Sequence, residues 1–189
     1  MRLFVAIDLS AETRTLVGEI QERLETQLIM ARRAPRITWV KPEAAHVTLQ
    51  FLGETPDSQV ERITGALGSP RLANEPLAVL WGGLGTFPET RQPRVVWLGA
   101  TTGAKELSTL AGNVRERLAG VGVEQDARPF RPHITVGRVR DAGIGVNWPD
   151  ALKRVLFAPS ASRVDHVTLY RSQLSPRGPT YTAVANFAL

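Results

Sequence analysis

Residues 46–53 read HVTLQFLG, and residues 133–139 read HITVGRV. Both runs are short, rich in β-branched or apolar residues and begin with a His-x-Thr triplet, so each predicts a strand. The sequence before each triplet repeats as well. A short apolar run (residues 2–8 and 94–100), an amphipathic helical pattern and a proline-bearing loop come in the same order both times.

This repeat predicts one bilobal domain over residues 1–189, with an internal repeat of roughly 1–90 and 91–189. After each triplet come a second helix and a further strand, near 77–81 in the first half and near 164–170 in the second. We therefore expect an α+β fold of two similar lobes related by pseudo-twofold symmetry. Each lobe should be a small antiparallel sheet with helices on its outer face, and the active-site cleft should lie between the lobes.

The two triplets carry the chemistry that this arrangement favours. Because side chains alternate along a strand, His46 shares a face with Thr48, and His133 shares a face with Thr135. The twofold relation would bring the two faces together. With a pKa of about 6.5, one histidine can be neutral and take a proton from water while the other gives a proton to a leaving oxygen. Threonine hydroxyls can bind phosphate oxygens, so the pattern favours phosphodiester chemistry without a metal.

A third His-x-Thr copy, HVTL, occupies residues 166–169. His166 has no counterpart in the other half, so we interpret it as a structural or surface histidine. Strand alternation also places Phe51 inward beside Val47 and Leu49, which predicts a core residue rather than a base-stacking surface.

Arginine dominates the basic residues, and the formal net charge is +5. This favours an anionic partner, although a GC-rich genome would also raise the arginine content. Arg131 has the parity of the second histidine and could contact phosphate, whereas Arg138 has the opposite parity and would need a bulge or a strand end to do so. Trp39, Tyr170 and Tyr181 are candidates for stacking a nucleobase.

Several classes of function are disfavoured by composition. The chain has no cysteine and no recognisable metal-ligand motif, so we expect neither a metal nor another cofactor. No run approaches the ~18 apolar residues of a membrane helix, and the N-terminus lacks the pattern of a signal peptide. We therefore expect a cytoplasmic protein without a membrane or obligate protein partner, most simply a monomer.

The opening MRLFVAIDL, the first triplet after WVKPEAA and the segment RPHITVGR resemble the bacterial and archaeal RNA 2′,3′-cyclic phosphodiesterases. That family was formerly known as the 2′-5′ RNA ligases and belongs to the two-histidine phosphoesterase superfamily. The resemblance covers essentially the whole chain. It implies hydrolysis of a 2′,3′-cyclic phosphate at an RNA or oligonucleotide end to a 2′-phosphomonoester, with His46 as the proton donor and His133 as the acceptor.

Two other functions remain open from the sequence. The same acid and base could serve the reverse reaction, the ligation of RNA ends through a 2′-5′ linkage. The domain could also be a non-catalytic nucleotide-binding module, which the presence of both histidines and both threonines argues against.

Overall fold

The computed structural model describes residues 1–124, 128–176 and 178–189, and the elements named below lie within them. The strands are β1 (Arg2–Asp8), β2 (Arg36–Trp39), β3 (His46–Glu54), β4 (Leu77–Phe87), β5 (Val95–Thr102), β6 (His133–Asp141), β7 (Ser160–Val164), β8 (His166–Ser175) and β9 (Gly178–Ala188). The helices are α1 (Ala11–Leu28), α2 (Asp57–Gly68), α3 (Ala104–Gly120) and α4 (Trp148–Lys153), with a 3₁₀ turn at Pro42–Ala44.

The strands form two antiparallel sheets, in the orders β3-β1-β8-β9 and β2-β6-β5-β4-β7. This confirms the α+β fold with two small antiparallel sheets. The lobes, however, are not the two halves of the sequence. The strand near 77–81 belongs to β4, which pairs with β5, and the strand near 164–170 corresponds to β8, which pairs with β1. Each half therefore gives two strands to the other lobe, β2 and β4 from the first half and β8 and β9 from the second. The order β3-β1-β8-β9 corresponds to β6-β5-β4-β7.

The long helices cross between the lobes in the same reciprocal way. Helix α1 follows β1 but contacts β6 and β7, and α3 follows β5 but contacts β3 and α2. Ser10 caps α1 by accepting a hydrogen bond from the Thr13 backbone, and the apolar stripe of the helix is buried. Because each long helix packs against the lobe opposite its own preceding strand, the buried apolar residues form one continuous core. No helix in the described ranges is long and apolar enough to cross a membrane.

A bulge interrupts each His-x-Thr strand three residues after its histidine. In the β1–β3 ladder Val5 pairs with Gln50 and Ala6 with Thr48, so Leu49 is an extra residue. In the β5–β6 ladder the extra residue is Val136. A bulge reverses the alternation of the side chains beyond it. The side chains directly after each bulge, such as those of Phe51 and Arg138, therefore lie on the opposite face from the one that the sequence predicts.

Strand β2 was not predicted, because its residues lie in the loop between Pro35 and Pro42. It pairs with β6 and adds a fifth strand to the second sheet. Gly137 permits this pairing, because a Cβ at that position would come within 2.7 Å of Ile37 and 2.8 Å of Trp39. Trp39, a candidate for base stacking, is thereby packed against β6 at the edge of the core.

Candidate active site

The two predicted histidines lie at matching places in the structure. His46 is the first residue of β3 and His133 the first residue of β6, and these strands contact each other where the lobes meet. Burial lowers the pKa of His46 most, and the proximity of His133 lowers it further. The fold thus brings the two imidazoles within electrostatic reach of one another, where the lobes meet.

A hydrogen bond of the same kind, from ring nitrogen to backbone carbonyl, orients each of the two imidazole rings. The Nδ1 atom of His46 lies 2.9 Å from the Ala44 carbonyl oxygen, and Nδ1 of His133 lies 2.6 Å from that of Arg131. A carbonyl oxygen only accepts, so Nδ1 carries a hydrogen in both rings. In the neutral form Nε2 then has a free lone pair, and in the charged form it carries the exchangeable proton. Nε2 is therefore the atom of each ring that can exchange a proton with a substrate.

The electrostatic environments of the two histidines differ. Burial is the largest influence on both, and it lowers the pKa of His46 and of His133 below the ordinary value of 6.5. The backbone hydrogen bonds raise both pKa values, and Arg138 lowers both. Asp8 raises the pKa of His46 and has no corresponding influence on His133. The two histidines occupy equivalent backbone positions, so the difference in the influences on their pKa values comes from their charged neighbours.

Thr48 and Thr135 lie two residues after the histidines and are half-buried, as the alternation predicts. Among the residues that the structure describes, neither hydroxyl has a hydrogen-bond partner. Both hydroxyls are therefore available to a bound anion between the lobes. Each precedes the bulge of its strand, so the prediction of its direction was unaffected by the bulge.

Aromatic rings surround His46. The Phe4 ring centroid lies 4.9 Å from the imidazole, and Tyr181 meets the imidazole edge-on at 5.2 Å. Phe51 lies 6.1 Å from Phe4 and is 54% exposed, so its prediction as a core residue is wrong. The bulge at Leu49 turns Phe51 outward, where its ring is open to solvent.

A second aromatic hollow lies beside His133, with a volume of about 330 Å³. The Phe87 ring meets the imidazole edge-on at 5.1 Å and lies 5.1 Å from Trp97. Glycines at positions 85 and 99 make room for this indole, since a Cβ at either would come within 2.7 Å of it. The hollow continues to Phe130, Pro132 and Arg131.

The two predicted arginines differ in their surroundings. Arg138 follows the bulge at Val136, which turns it to the cleft side, where its charge acts on both histidines. Arg131 lies over the Phe87 ring at 5.4 Å and forms a 3.4 Å ion pair with Glu89. Both members of that pair are largely exposed, so the pair is weak and Arg131 could exchange it for a phosphate. Substrate contact by either arginine remains a prediction.

The third His-x-Thr copy lies on the same face of the first sheet as His46 but one strand beyond β1. His166 and Thr168 both contact the Asp8 carboxylate, as does Tyr170. Burial and the hydrogen bond to Asp8 raise the pKa of Tyr170 to about 12, so its hydroxyl is protonated and donates to that carboxylate. His166 is therefore placed to hold Asp8, in keeping with a structural role.

The described residues contain no group of three or more histidine, cysteine, aspartate or glutamate side chains positioned to hold a metal ion. Sequence reasoning missed four residues of the cleft walls, which are Phe4, Asp8, Phe87 and Trp97. The first strand of each half, RLFVAID and RVVWLGA, contained a signal for three of them, because it pairs directly with the His-x-Thr strand.

The paired lobes and the twin His-x-Thr strands define a phosphoesterase-like class of protein. The chain belongs to the 2′-5′ RNA ligase superfamily, which it matches over residues 10–176. It is 31% identical over 186 residues to an RNA 2′,3′-cyclic phosphodiesterase of Geobacillus stearothermophilus, covering 98% of this chain and 56% of that protein. A protein of the same name from Aquifex aeolicus is 30% identical over 181 residues, covering 94% and 93%. The structure also resembles Escherichia coli LigT complexed with 3′-AMP, with a TM-score of 0.74, 30% identity and coverage of 100% and 97%.

Proposed function

We propose that this protein hydrolyses 2′,3′-cyclic phosphate ends of RNA to 2′-phosphomonoesters by metal-independent acid–base catalysis. The observation that carries the proposal is the matched pair of imidazoles, each held at Nδ1 by a backbone carbonyl with Nε2 left for proton transfer. The Geobacillus and Aquifex relatives bear the name of an RNA 2′,3′-cyclic phosphodiesterase, which supports the same reaction.

The reaction needs one acid and one base on opposite sides of the phosphorus. His133 Nε2 takes a proton from water as the water oxygen forms its bond to phosphorus. The bond from phosphorus to O3′ breaks, and His46 Nε2 gives its proton to O3′. One water is consumed and one P–O bond is replaced, leaving a 2′-phosphate and a 3′-hydroxyl. His46 ends neutral and His133 protonated, and exchange with solvent restores both.

The remaining cleft residues stabilise the charge that builds on phosphorus. The Thr48 and Thr135 hydroxyls can donate to the two non-bridging oxygens, one from each lobe. Arg138 brings a positive charge to the same place and can bind the phosphate through two parallel hydrogen bonds. Preorganised donors of this kind need no metal to stabilise the transition state, because they are already oriented when the substrate arrives.

The test is an assay with an oligonucleotide that ends in a 2′,3′-cyclic phosphate, with and without a second strand bearing a free 5′-hydroxyl. Hydrolysis in both cases, abolished by removal of either histidine, is the expected result. Joined strands as the main product would favour the ligase reaction instead. Tight nucleotide binding without turnover of any cyclic phosphate would identify a binding module and refute the proposal.

A further inference from the structure

Asp8 lies beside His46, and the corresponding place beside His133 has no side chain. In the β1–β3 ladder Asp8 is directly opposite His46, and in the β5–β6 ladder the residue opposite His133 is Gly99. Directly opposed residues of an antiparallel pair project from the same face of the sheet. A carboxylate therefore accompanies one histidine and a hydrogen atom accompanies the other. This pair of positions breaks the twofold relation between the two halves of the cleft.

Three side chains of β8 fix the position of the Asp8 carboxylate. The Tyr170 hydroxyl donates to Oδ1 at 2.5 Å, Thr168 Oγ1 donates to Oδ2 at 2.8 Å, and His166 Nε2 lies 3.3 Å from Oδ2. Two of these donors form the third His-x-Thr copy, which the proposed reaction does not use. Since β1 lies between β3 and β8, the carboxylate is held between His46 on one side and His166 on the other.

We propose that Asp8 is a positioning residue that decides which histidine is the acid, because its carboxylate, held by β8, favours a proton on His46 over a proton on His133. The inference rests on the two-histidine reaction proposed above. Without such a bias, two similar imidazoles in one cleft would compete for a single proton. Half of the singly protonated molecules would then carry it on the wrong ring. An opposite charge nearby stabilises an imidazolium, so the carboxylate resolves the competition.

Other charged and titratable groups face this cluster, and their signs are mixed. They are Arg14 on α1, Asp165 before β8, His166 and Tyr170 on β8, Tyr181 on β9, and His133 and Arg138 on β6. Burial would lower the pKa of His166, but hydrogen bonds to Asp165 and Asp8 raise it overall. The raised pKa favours the charged form of His166, which offsets part of the Asp8 charge. Removing Asp8 and removing His166 should therefore have opposite effects on His46.

The experiment titrates the histidine rings by NMR in the free protein and measures kcat/KM against pH. Asp8→Asn keeps the size of the side chain and removes its charge, and the hydroxyls of Thr168 and Tyr170 can still bond to it as donors or acceptors. Asp165→Asn is the matched control, since it makes the same change in net charge on the far side of His166. His166→Ala is the variant of opposite sign, at a half-buried position on β8.

Asp8→Asn should lower the titration midpoint of His46 by about 0.5 to 1 and leave that of His133 in place, and the alkaline limb of kcat/KM should move to lower pH by the same amount. His166→Ala should raise the His46 midpoint, and Asp165→Asn should move it much less than Asp8→Asn does.

An unchanged His46 midpoint in Asp8→Asn, or an equal shift in the control, would overturn the inference. If Asp8→Asn does not fold, a fall or no change in His166→Ala overturns it. A wild-type protein without turnover would refute the proposed reaction instead, and the NMR titration would still test the role of Asp8.

Discussion

Phe51 and Arg138 occupy corresponding positions, each five residues after the histidine of its strand, and a bulge turns each of them toward the cleft. The two lobes thus present the same backbone but different chemistry at this point. One presents an apolar ring that is 54% exposed, and the other presents a cation. A nucleotide offers a base and a phosphate, so the pair matches the two chemically different parts of that ligand.

Arg138→Ala should lower kcat/KM by about 10- to 100-fold, the usual worth of a charge-assisted hydrogen bond to a phosphate. Steady-state kinetics with a cyclic-phosphate dinucleotide measures this. Arg140→Ala is the control, because it removes the same charge two residues along β6, where the side chain is exposed and bonds to Thr38. Equal losses in the two variants would show that only the overall charge of the strand matters.

The bulges also explain where sequence reasoning succeeded and where it failed. Each triplet precedes its bulge, so the bulge does not change the strand face on which alternation puts His46, Thr48, His133 and Thr135. Phe51 follows a bulge, and alternation placed it in the core by mistake. A bulge is set by the pairing of one strand with its neighbour, and that pairing is not visible in the strand's own sequence.

Long-range pairing limited the prediction of the lobes in the same way. The local patterns predicted most strands and both long helices near their observed positions. They could not show that β4 pairs with β5 rather than with β1, because both edges offer similar apolar partners. The role of His166 was inferred from its lack of a counterpart, but its partner Asp8 became visible only when β8 was placed beside β1.

His46→Ala and His133→Ala should each lower kcat by a factor on the order of 10² to 10⁴, the usual contribution of a positioned acid or base. His166→Ala should keep most of the activity, because Thr168 and Tyr170 still hold Asp8. Single-turnover rates with a fluorescent cyclic-phosphate oligonucleotide make the comparison, and circular dichroism verifies folding. A folded His166→Ala protein with no turnover would mean that the three His-x-Thr copies were assigned wrongly.

Removal of divalent metal should leave the rate nearly unchanged. The proposed reaction uses only imidazoles, hydroxyls and a guanidinium, so it has no step that a metal must perform. The measurement compares kcat before and after dialysis against a strong chelator, with a metal-dependent nuclease treated in parallel as a control. Loss of activity that a divalent ion restores would contradict the acid–base scheme.

The pH dependence of kcat/KM should be bell-shaped, with its maximum below pH 6.5. Burial lowers the pKa of both histidines below that value. The base must be neutral, so activity falls as the pH drops through the pKa of His133. The acid must be protonated, so activity falls as the pH rises through the pKa of His46. The two limbs belong to the coupled pair rather than to single residues. A maximum well above pH 7 would show that bound or neighbouring charges outweigh burial.

The direction of ring opening provides the last test, because a 2′,3′-cyclic phosphate can lose its bond to either ribose oxygen. The acid must lie beside the departing oxygen, and water must attack from the opposite side of phosphorus, in line with it. Histidines on facing lobes satisfy this requirement for one orientation of the ribose at a time. With Asp8 favouring the proton on His46, the oxygen nearest His46 departs, and the proposed reaction makes that oxygen O3′. The product should then be a 2′-phosphate with a free 3′-hydroxyl.

Digestion of a cyclic-phosphate oligonucleotide, followed by ³¹P NMR or by chromatography against 2′- and 3′-phosphate standards, identifies the product. A 3′-phosphate would mean that the ribose is bound the other way round or that the two histidines exchange roles. The kcat/KM profile of Asp8→Asn separates these two cases, because the alkaline limb moves if His46 is the acid, whereas the acidic limb moves if His46 is the base.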